Sequence, residues 1–273
     1  MATDITLTSA IRTNLLSLQN TASLISRTQN RLSTGKKVNS SLDNAQAFFT
    51  ASGLTNRGTD LANLKDTMDQ AISQMGAATK GIDSITKLVE QAKALAVSAQ
   101  GTTDTSQQTK LASQYNTLVT AINQLAYNSS YSGKNLVNGT SASLVVTFDE
   151  FASHKLTISG VRLDASGLTM QTVTASNWTD SSTIESGIAQ VDAGLKSLRA
   201  EASSFGSNNS VLQIRLDFTK NLINTLEEGA AKLVNADINE ESANLLSLQT
   251  RQQLGITSLS LANQSEQSIL KLF

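Results

Sequence analysis

Any chemistry in this chain of 273 residues would have to run through very few groups. There is one histidine, His154, and there is no cysteine. The missing cysteines remove disulfides, thiolate metal sites and thiol nucleophiles together. A lone imidazole without such partners is more often a surface group than a metal ligand. No second histidine exists to complete a nucleophile–base–acid set. Asp149 and Glu150 are adjacent carboxylates in a stretch that reads as strand, where neighbours face opposite ways. No phosphate or dinucleotide glycine fingerprint is present. Asn128, Asn138 and Asn177 open three N-glycosylation sequons, matches short enough to arise by chance. The expectation is no enzyme, no cofactor and no metal.

The composition points to structure instead. Net charge is −1, which gives no basic field for nucleic acid. No run of about 18 apolar residues offers a membrane span. The first ten residues, MATDITLTSA, lack a basic start followed by an apolar run. That predicts a cytoplasmic protein or one exported by a route needing no such signal. Hydrophobic residues make up 39% of the chain and aromatics only 4%, and proline is absent. Long uninterrupted helices tolerate such a composition well.

Spacing identifies those helices. Apolar residues recur at alternating steps of three and four, the seam of helices packed lengthwise. The first series is Ile11, Leu15, Leu18, Ala22, Ile25, Gln29 and Leu32, with Gly35 as a stop. A short helix is expected from a cap at Asp43 to Gly58. A new one starts at Thr59 and carries Leu61, Leu64, Met68, Ala71, Met75, Ala78, Ile82, Ile85, Val89, Ala92, Ala96 and Ala99. Leu111, Tyr115, Leu118, Ile122 and Leu125 form a third. After residue 180 the period returns from Ile184 to Leu233. A capping pair, Asp237 and Glu240, then opens a final series: Ile238, Glu241, Leu245, Leu248, Gln252, Gly255, Leu259, Ala262, Glu266, Ile269 and Phe273.

Between about Tyr131 and Asp180 the pattern changes. SLVVTF, KLTISGVRL and LTMQTVT are β-branched and partly alternating, and they read as short strands and hairpins. The expected fold class is mainly α: an elongated antiparallel helical bundle or coiled coil with a small central β-hairpin region. The layout divides into terminal coiled coil (1–43 and 237–273), a long-helix rod (44–130 and 181–236) and a small β region (131–180).

The hexapeptide NLLSLQ occurs twice, at Asn14–Gln19 and Asn244–Gln249. It puts Leu15 and Leu18 in the first seam and Leu245 and Leu248 in the last. Leu16 and Leu246 fall outside both. The final helix is apolar on several faces, which predicts burial on several faces. A terminal helix of this kind is marginal alone in water. It is expected to be ordered by packing with further copies, in a head-to-tail contact that grows without closing.

Several motifs resemble the bacterial flagellins. The N-terminal signature is carried by Arg31, Leu32, Ser33, Gly35, Val38, Asn39, Ser40, Asp43 and Ala45. Leu95, Ala96 and Val97 match a helix-end motif, and Tyr131, Ser132 and Gly133 a turn. NADINEESANLLSLQTRQQLGITSLSLANQ is similar to the C-terminal signature. The resemblance implies a self-polymerising, extracellular filament subunit for motility, with the terminal helices as an inner layer. It also implies export through the flagellar type III apparatus with an export chaperone, and contacts with hook-associated and cap proteins. Ile11, Leu15, Leu16, Leu18, Ile25, Leu32, Leu245, Leu246, Leu248, Ile256, Leu259, Ile269 and Phe273 are the expected self-assembly residues. Only about 50 central residues are available, so the large outer domains of many flagellins are expected to be absent.

Family members recognised by Toll-like receptor 5 use an Arg and a Glu where this chain aligns Gln91 and Gln114, with Leu95 retained. Losing both charges predicts weak or absent activation. The Ser/Thr-rich stretch from Thr169 to Thr183 is a candidate for O-glycosylation on the same resemblance. The alternatives are a hook–filament junction protein and, in another class, a cytoplasmic helical signalling rod.

Overall fold

The computed structural model describes residues 9–139, 141–174 and 177–270, without the side chains of 10, 177, 266, 269 and 270. Five helices carry the fold: α1 (Ser9–Thr34), α2 (Ala45–Gln100), α3 (Thr105–Asn128), α4 (Ser181–Val234) and α5 (Ile238–Leu270). Two hairpins lie between α3 and α4. One pairs β1 (Ser130–Tyr131) with β2 (Lys134–Asn135), the other β3 (Ser143–Thr147) with β4 (Lys155–Ser159). The chain is mainly α with small β-hairpins. It forms two compact units. Unit 1 comprises the described residues of Met1–Asn56 and Thr225–Phe273, and unit 2 is Arg57–Asn224.

Two expected boundaries need correction. The sequence suggested a helix ending at Gly58 and another starting at Thr59. The structure runs one helix, α2, through both. A helical glycine costs only about 1 kcal/mol relative to alanine. The apolar stripe continues across it, with Ala51 and Leu61 both buried, so packing holds the helix through the weak point. The cap of α2 is Asn44, not Asp43. The Ala47 N–H donates to Asn44 Oδ1 at 3.0 Å. Asp43 closes the preceding turn, its Oδ2 accepting the N–H groups of Asn39 and Ser40 at 3.0 Å each. Those two bonds, that of Asn39 foremost, hold its carboxyl below the usual range.

Unit 2 has a dense core. Met68, Met75, Ile82, Ile85, Val89, Ala92, Ala96 and Ala99 of α2 face inward with no exposed surface. Against them pack Tyr115, Val119 and Ile122 of α3, and Ile184, Val191, Leu198, Phe205 and Leu212 of α4. Helix α3 returns antiparallel to α2. The Gln108 amide bridges the turn by donating to the carbonyls of Ala99 and Thr102, and Gly81 leaves room where a Cβ would collide with Ser129. Asp104 caps α3. Lys93–Asp192 (2.6 Å) and Gln100–Glu185 fix an antiparallel α2–α4 register. Trp178, the only tryptophan, is fully buried with its ring 5.0 Å from that of Tyr115.

In the β region SLVVTF and KLTISGVRL supply the two strands of the main hairpin. Leu144 and Val146 of β3 face inward opposite Ile158 and Leu156 of β4, and Val145 faces water. This is the period of two that the sequence shows. LTMQTVT is not a strand. Its backbone bonds to side chains instead. Asn116 accepts the Val173 N–H and donates to the Val173 carbonyl, while Leu168 and Met170 fill the core. The β1–β2 turn uses Ser132 and Gly133 at positive φ (50° and 78°), the mirror-image geometry that suits tight hairpins.

Unit 1 is built on two loops that pair. Gly35 ends α1 at φ +68°, a left-handed cap that glycine adopts without penalty. The N–H groups of Lys37 and Val38 donate to the Val234 carbonyl, and the Ala236 N–H donates to the Gly35 carbonyl. Asp237 caps α5, accepting the Asn239 N–H at 2.9 Å. Helices α1 and α5 then run antiparallel. Arg31 meets Glu241 at 2.7 Å at one end, and Leu18 meets Gly255 towards the other.

Candidate assembly surface

The few groups capable of chemistry are used for local structure. Asp149 accepts the backbone N–H groups of Ser153 and His154, and its Oδ2 lies 3.2 Å from the His154 ring. The backbone bond from His154 is the main reason its carboxyl is held low. Burial pushes the Glu150 carboxyl up, and hydrogen bonds from the backbone and Arg57 more than reverse this. Glu150 pairs with Arg57 at 2.7 Å. Among the described residues no three His, Cys, Asp or Glu converge as a metal site. No helix among them is long and apolar enough to cross a membrane.

The distinctive surface lies on the α1–α5 pair. On α5, the residues turned towards α1 are Glu241, Leu245, Leu248, Gln252, Gly255, Leu259 and Ala262. At 100° per residue, Leu246, Leu254 and Leu261 fall roughly on the opposite side. They are 66%, 66% and 68% exposed. Helix α5 is therefore apolar on two opposed faces, only one of which its own chain covers. Ala243, Leu246, Ser247, Thr250, Arg251 and Leu254 line a shallow groove of about 480 Å³ on the open face.

The buried stripe of α1 is rotated from the expected one. Ile11, Thr21 and Thr28 are buried, and Leu18, Ile25 and Leu32 are half-buried. Leu15, Ala22 and Gln29 are exposed. Threonine can take the inner position because its hydroxyl bonds within the helix, Thr21 Oγ1 donating to the Ser17 carbonyl at 2.8 Å. The expected series took the residues next to these threonines, Ala22 and Gln29.

Of the expected assembly residues, Ile11 is buried, and Leu18, Ile25, Leu32, Leu245, Leu248 and Leu259 are half-buried between α1 and α5. Leu15, Leu16, Leu246 and Ile256 are exposed. Phe273 and the Ile269 side chain lie outside the described residues. The two hexapeptides are not opposite one another: the antiparallel register puts one towards each end of the pair. Two further contributors stand outside the expected assembly residues, although Arg31 belongs to the flagellin-like signature and Gly255 to the last seam series. Arg31 neutralises Glu241, whose side chain is only 10% exposed. Gly255 provides the notch for Leu18, since a Cβ there would come 2.8 Å from Leu18 Cδ2. On unit 2, Gln91 and Gln114 are exposed, and Leu95 packs against the core.

Comparison with known proteins accounts for this architecture. Residues 6–142 match the bacterial flagellin N-terminal helical region, and residues 188–273 match the bacterial flagellin C-terminal helical region. Flagellin FljO of Caulobacter vibrioides is 31% identical over 97% of this chain and 98% of its own length. A flagellin of Brucella melitensis is 32% identical over 100% and 99%. These relatives match end to end, so they share the short centre. In fold, a Bacillus cereus flagellin superposes with a TM-score of 0.50 over 56% of this chain and 88% of its own, at 22% identity. A flagellar hook-associated protein of Vibrio parahaemolyticus superposes with a TM-score of 0.59 over 71% and 100%, at 10% identity. The chain belongs to the bacterial flagellin family, the structural proteins of the extracellular flagellar filament.

Proposed function

We infer that this filament subunit polymerises through the outward faces of α1 and α5. The observation that carries this is the second apolar face of α5: Leu246, Leu254 and Leu261 stand in water although the opposite face is packed. Burying each leucine against a neighbour contributes about 1.5–3 kcal/mol, so a few suffice to drive assembly. In this reading residues 1–43 and 237–273 form the inner layer of the filament. Residues 44–130 and 181–236 form the outer helical layer, and 131–180 its small β region. The role is structural rather than catalytic.

The hook–filament junction reading is not favoured. The hook-associated structure shares the fold at 10% identity, whereas the full-length relatives above 30% are flagellins. Contacts with hook-associated and cap proteins and with an export chaperone follow from membership of the family. Gln91 and Gln114 offer no charge to Toll-like receptor 5, so reporter cells given purified monomer are expected to respond weakly or not at all.

Leu246→Asp tests the assembly reading. The side chain is exposed, so the monomer should keep its circular dichroism and its secretion, while filaments fail to form. Wild-type filaments from this variant would remove the outward face of α5 from the interface.

A further inference from the structure

Among the asparagines of this chain a single one is followed by glycine, Asn138 before Gly139. That dipeptide is chemically unstable. The glycine backbone nitrogen can attack the side-chain amide carbon of the asparagine, and no side chain on the glycine obstructs it. The N–Cγ bond forms, the Cγ–Nδ2 bond breaks, and the amide nitrogen leaves as ammonia with the proton of the Gly139 N–H. Water then opens the cyclic imide. Opening at Cγ yields aspartate at position 138. Opening at the main-chain carbonyl yields isoaspartate, which routes the backbone through the former side chain and lengthens it by one atom.

The fold engages this same nitrogen. The Gly139 N–H donates to the Val161 carbonyl at 3.0 Å. The pairing continues upstream, where the Val161 N–H donates to the Leu136 carbonyl and the Leu163 N–H to the Val137 carbonyl, both at 2.9 Å. Asn138 itself bridges Arg162 in antiparallel fashion. Asn135 Oδ1 accepts the N–H groups of Val137 and Asn138 at 2.8 and 3.0 Å. Leu136 and Val137 are buried in the core of unit 2. On the downstream side the Gly139 carbonyl lies against Gly160, where a Cβ would come within 2.6 Å of its oxygen. The chain is therefore held on both sides of the Asn138–Gly139 peptide.

We propose that Asn138 is a deamidation site gated by folding, whose isoaspartyl product unit 2 cannot accommodate. In the folded chain the Gly139 N–H is committed to Val161, so the reaction waits for local opening. In the unfolded chain nothing holds that nitrogen. The isoaspartyl product inserts its extra atom between the Val137 carbonyl and the Gly139 N–H. Those two groups bond to Leu163 and Val161 on one partner segment of fixed spacing, so both bonds cannot be kept, and a buried group that loses its partner is costly. The ordinary aspartyl product keeps the spacing. The site thus records time spent unfolded: a chain delayed before folding acquires a lesion in its β region, and a folded one is protected. This inference does not depend on how the subunit polymerises.

The test follows residue 138 in the full chain. Monomer is incubated at mildly alkaline pH, either native or in guanidinium chloride, and peptide mapping separates asparagine, aspartate and isoaspartate at this position. Conversion is expected to run about tenfold or more faster in denaturant than in the native protein. Equal rates overturn the gating. Chains aged in denaturant are then refolded and the isoaspartyl fraction is isolated. Its unfolding midpoint, read by Trp178 fluorescence, is expected to fall below that of unaged protein. Asn138→Asp carries the charge without the extra atom and should stay near the wild-type midpoint, and Asn138→Gln aged in the same way should keep its own. The lesion is overturned if the isoaspartyl chain unfolds at the wild-type midpoint, if Asn138→Asp falls as far, or if aged Asn138→Gln falls too.

Discussion

The two units of this chain bury their apolar residues in different ways. In unit 2 three helices and a hairpin surround one cluster in which Trp178, Tyr115, Phe205, Ile82 and Leu198 have almost no exposed surface. In unit 1 the α1–α5 pair has two helices and no third layer. Its inner stripe is mostly half-buried, and Leu15, Leu16, Leu246, Leu254 and Leu261 remain in water. A two-helix pair can shield only one face of each helix. Unit 2 is thus a finished core, whereas unit 1 is half of one. In the proposed reading the greater demand for further copies falls on the terminal helices, where helix stability without packing is lowest.

The largest test removes that half. Deleting Asp237 to Phe273 takes away α5, and polymerisation should be lost outright. Unit 2 should keep its fold, read by Trp178 fluorescence, because Trp178 lies wholly within it. A deletion that also collapsed the Trp178 signal would show that unit 2 depends on the terminal pair, and the contrast would fail.

A matched pair of truncations comes next. Ile82→Ala empties a site with no exposed surface and should destabilise unit 2 by about 2–5 kcal/mol in a denaturant titration. Leu246→Ala removes an exposed side chain and should change monomer stability by less than about 0.5 kcal/mol, while raising the critical concentration for assembly. Equal effects on the monomer would erase the distinction between a core residue and an assembly residue.

Gly255→Val probes the approach of α1 to α5. A side chain there meets Leu18, and overpacking of this kind costs about 1–3 kcal/mol. Loss of α1–α5 helicity at lower temperature than wild type, with the Trp178 transition unmoved, is the expected readout.

The smallest effect is at Tyr115. Its hydroxyl is buried with no hydrogen-bond partner among the described residues, and burial pushes its pKa up from 10.0 to about 12. The neutral form is therefore favoured in the folded state. Its contribution is complete below about pH 10 and is lost as pH rises towards 12. Tyr115→Phe should be neutral or stabilising by up to about 1 kcal/mol at pH 7. It should also flatten the alkaline loss of unit 2 stability between those two pH values, measured by urea titrations across the range.

Much of this architecture is legible in the residues themselves. The stripes of α2 and α4 run for many turns with few polar interruptions, and the structure buries or half-buries every member from Leu61 to Ala99 and from Ile184 to Leu233. Long strict periodicity leaves one face for the core. The hairpin β3–β4 is equally plain in its alternation. What misled were local signals that packing overrides. Gly58 reads as a stop but lies within a stripe that continues. LTMQTVT has the composition of a strand, yet Asn116 occupies its backbone groups. Thr21 and Thr28 read as polar and are buried.

The sequence by itself determined that the chain is helical, how long its seams are and where the β region falls. It also marked the terminal helices as apolar on too many faces for one chain to cover. Only the tertiary structure decided which face of each terminal helix is spent inside the subunit. That choice depends on the pairing of the Gly35 and Asn235 loops, the Arg31–Glu241 ion pair and the Leu18–Gly255 notch. These contacts join residues about two hundred positions apart or more, and no periodicity within either helix can specify a rotation set by its partner.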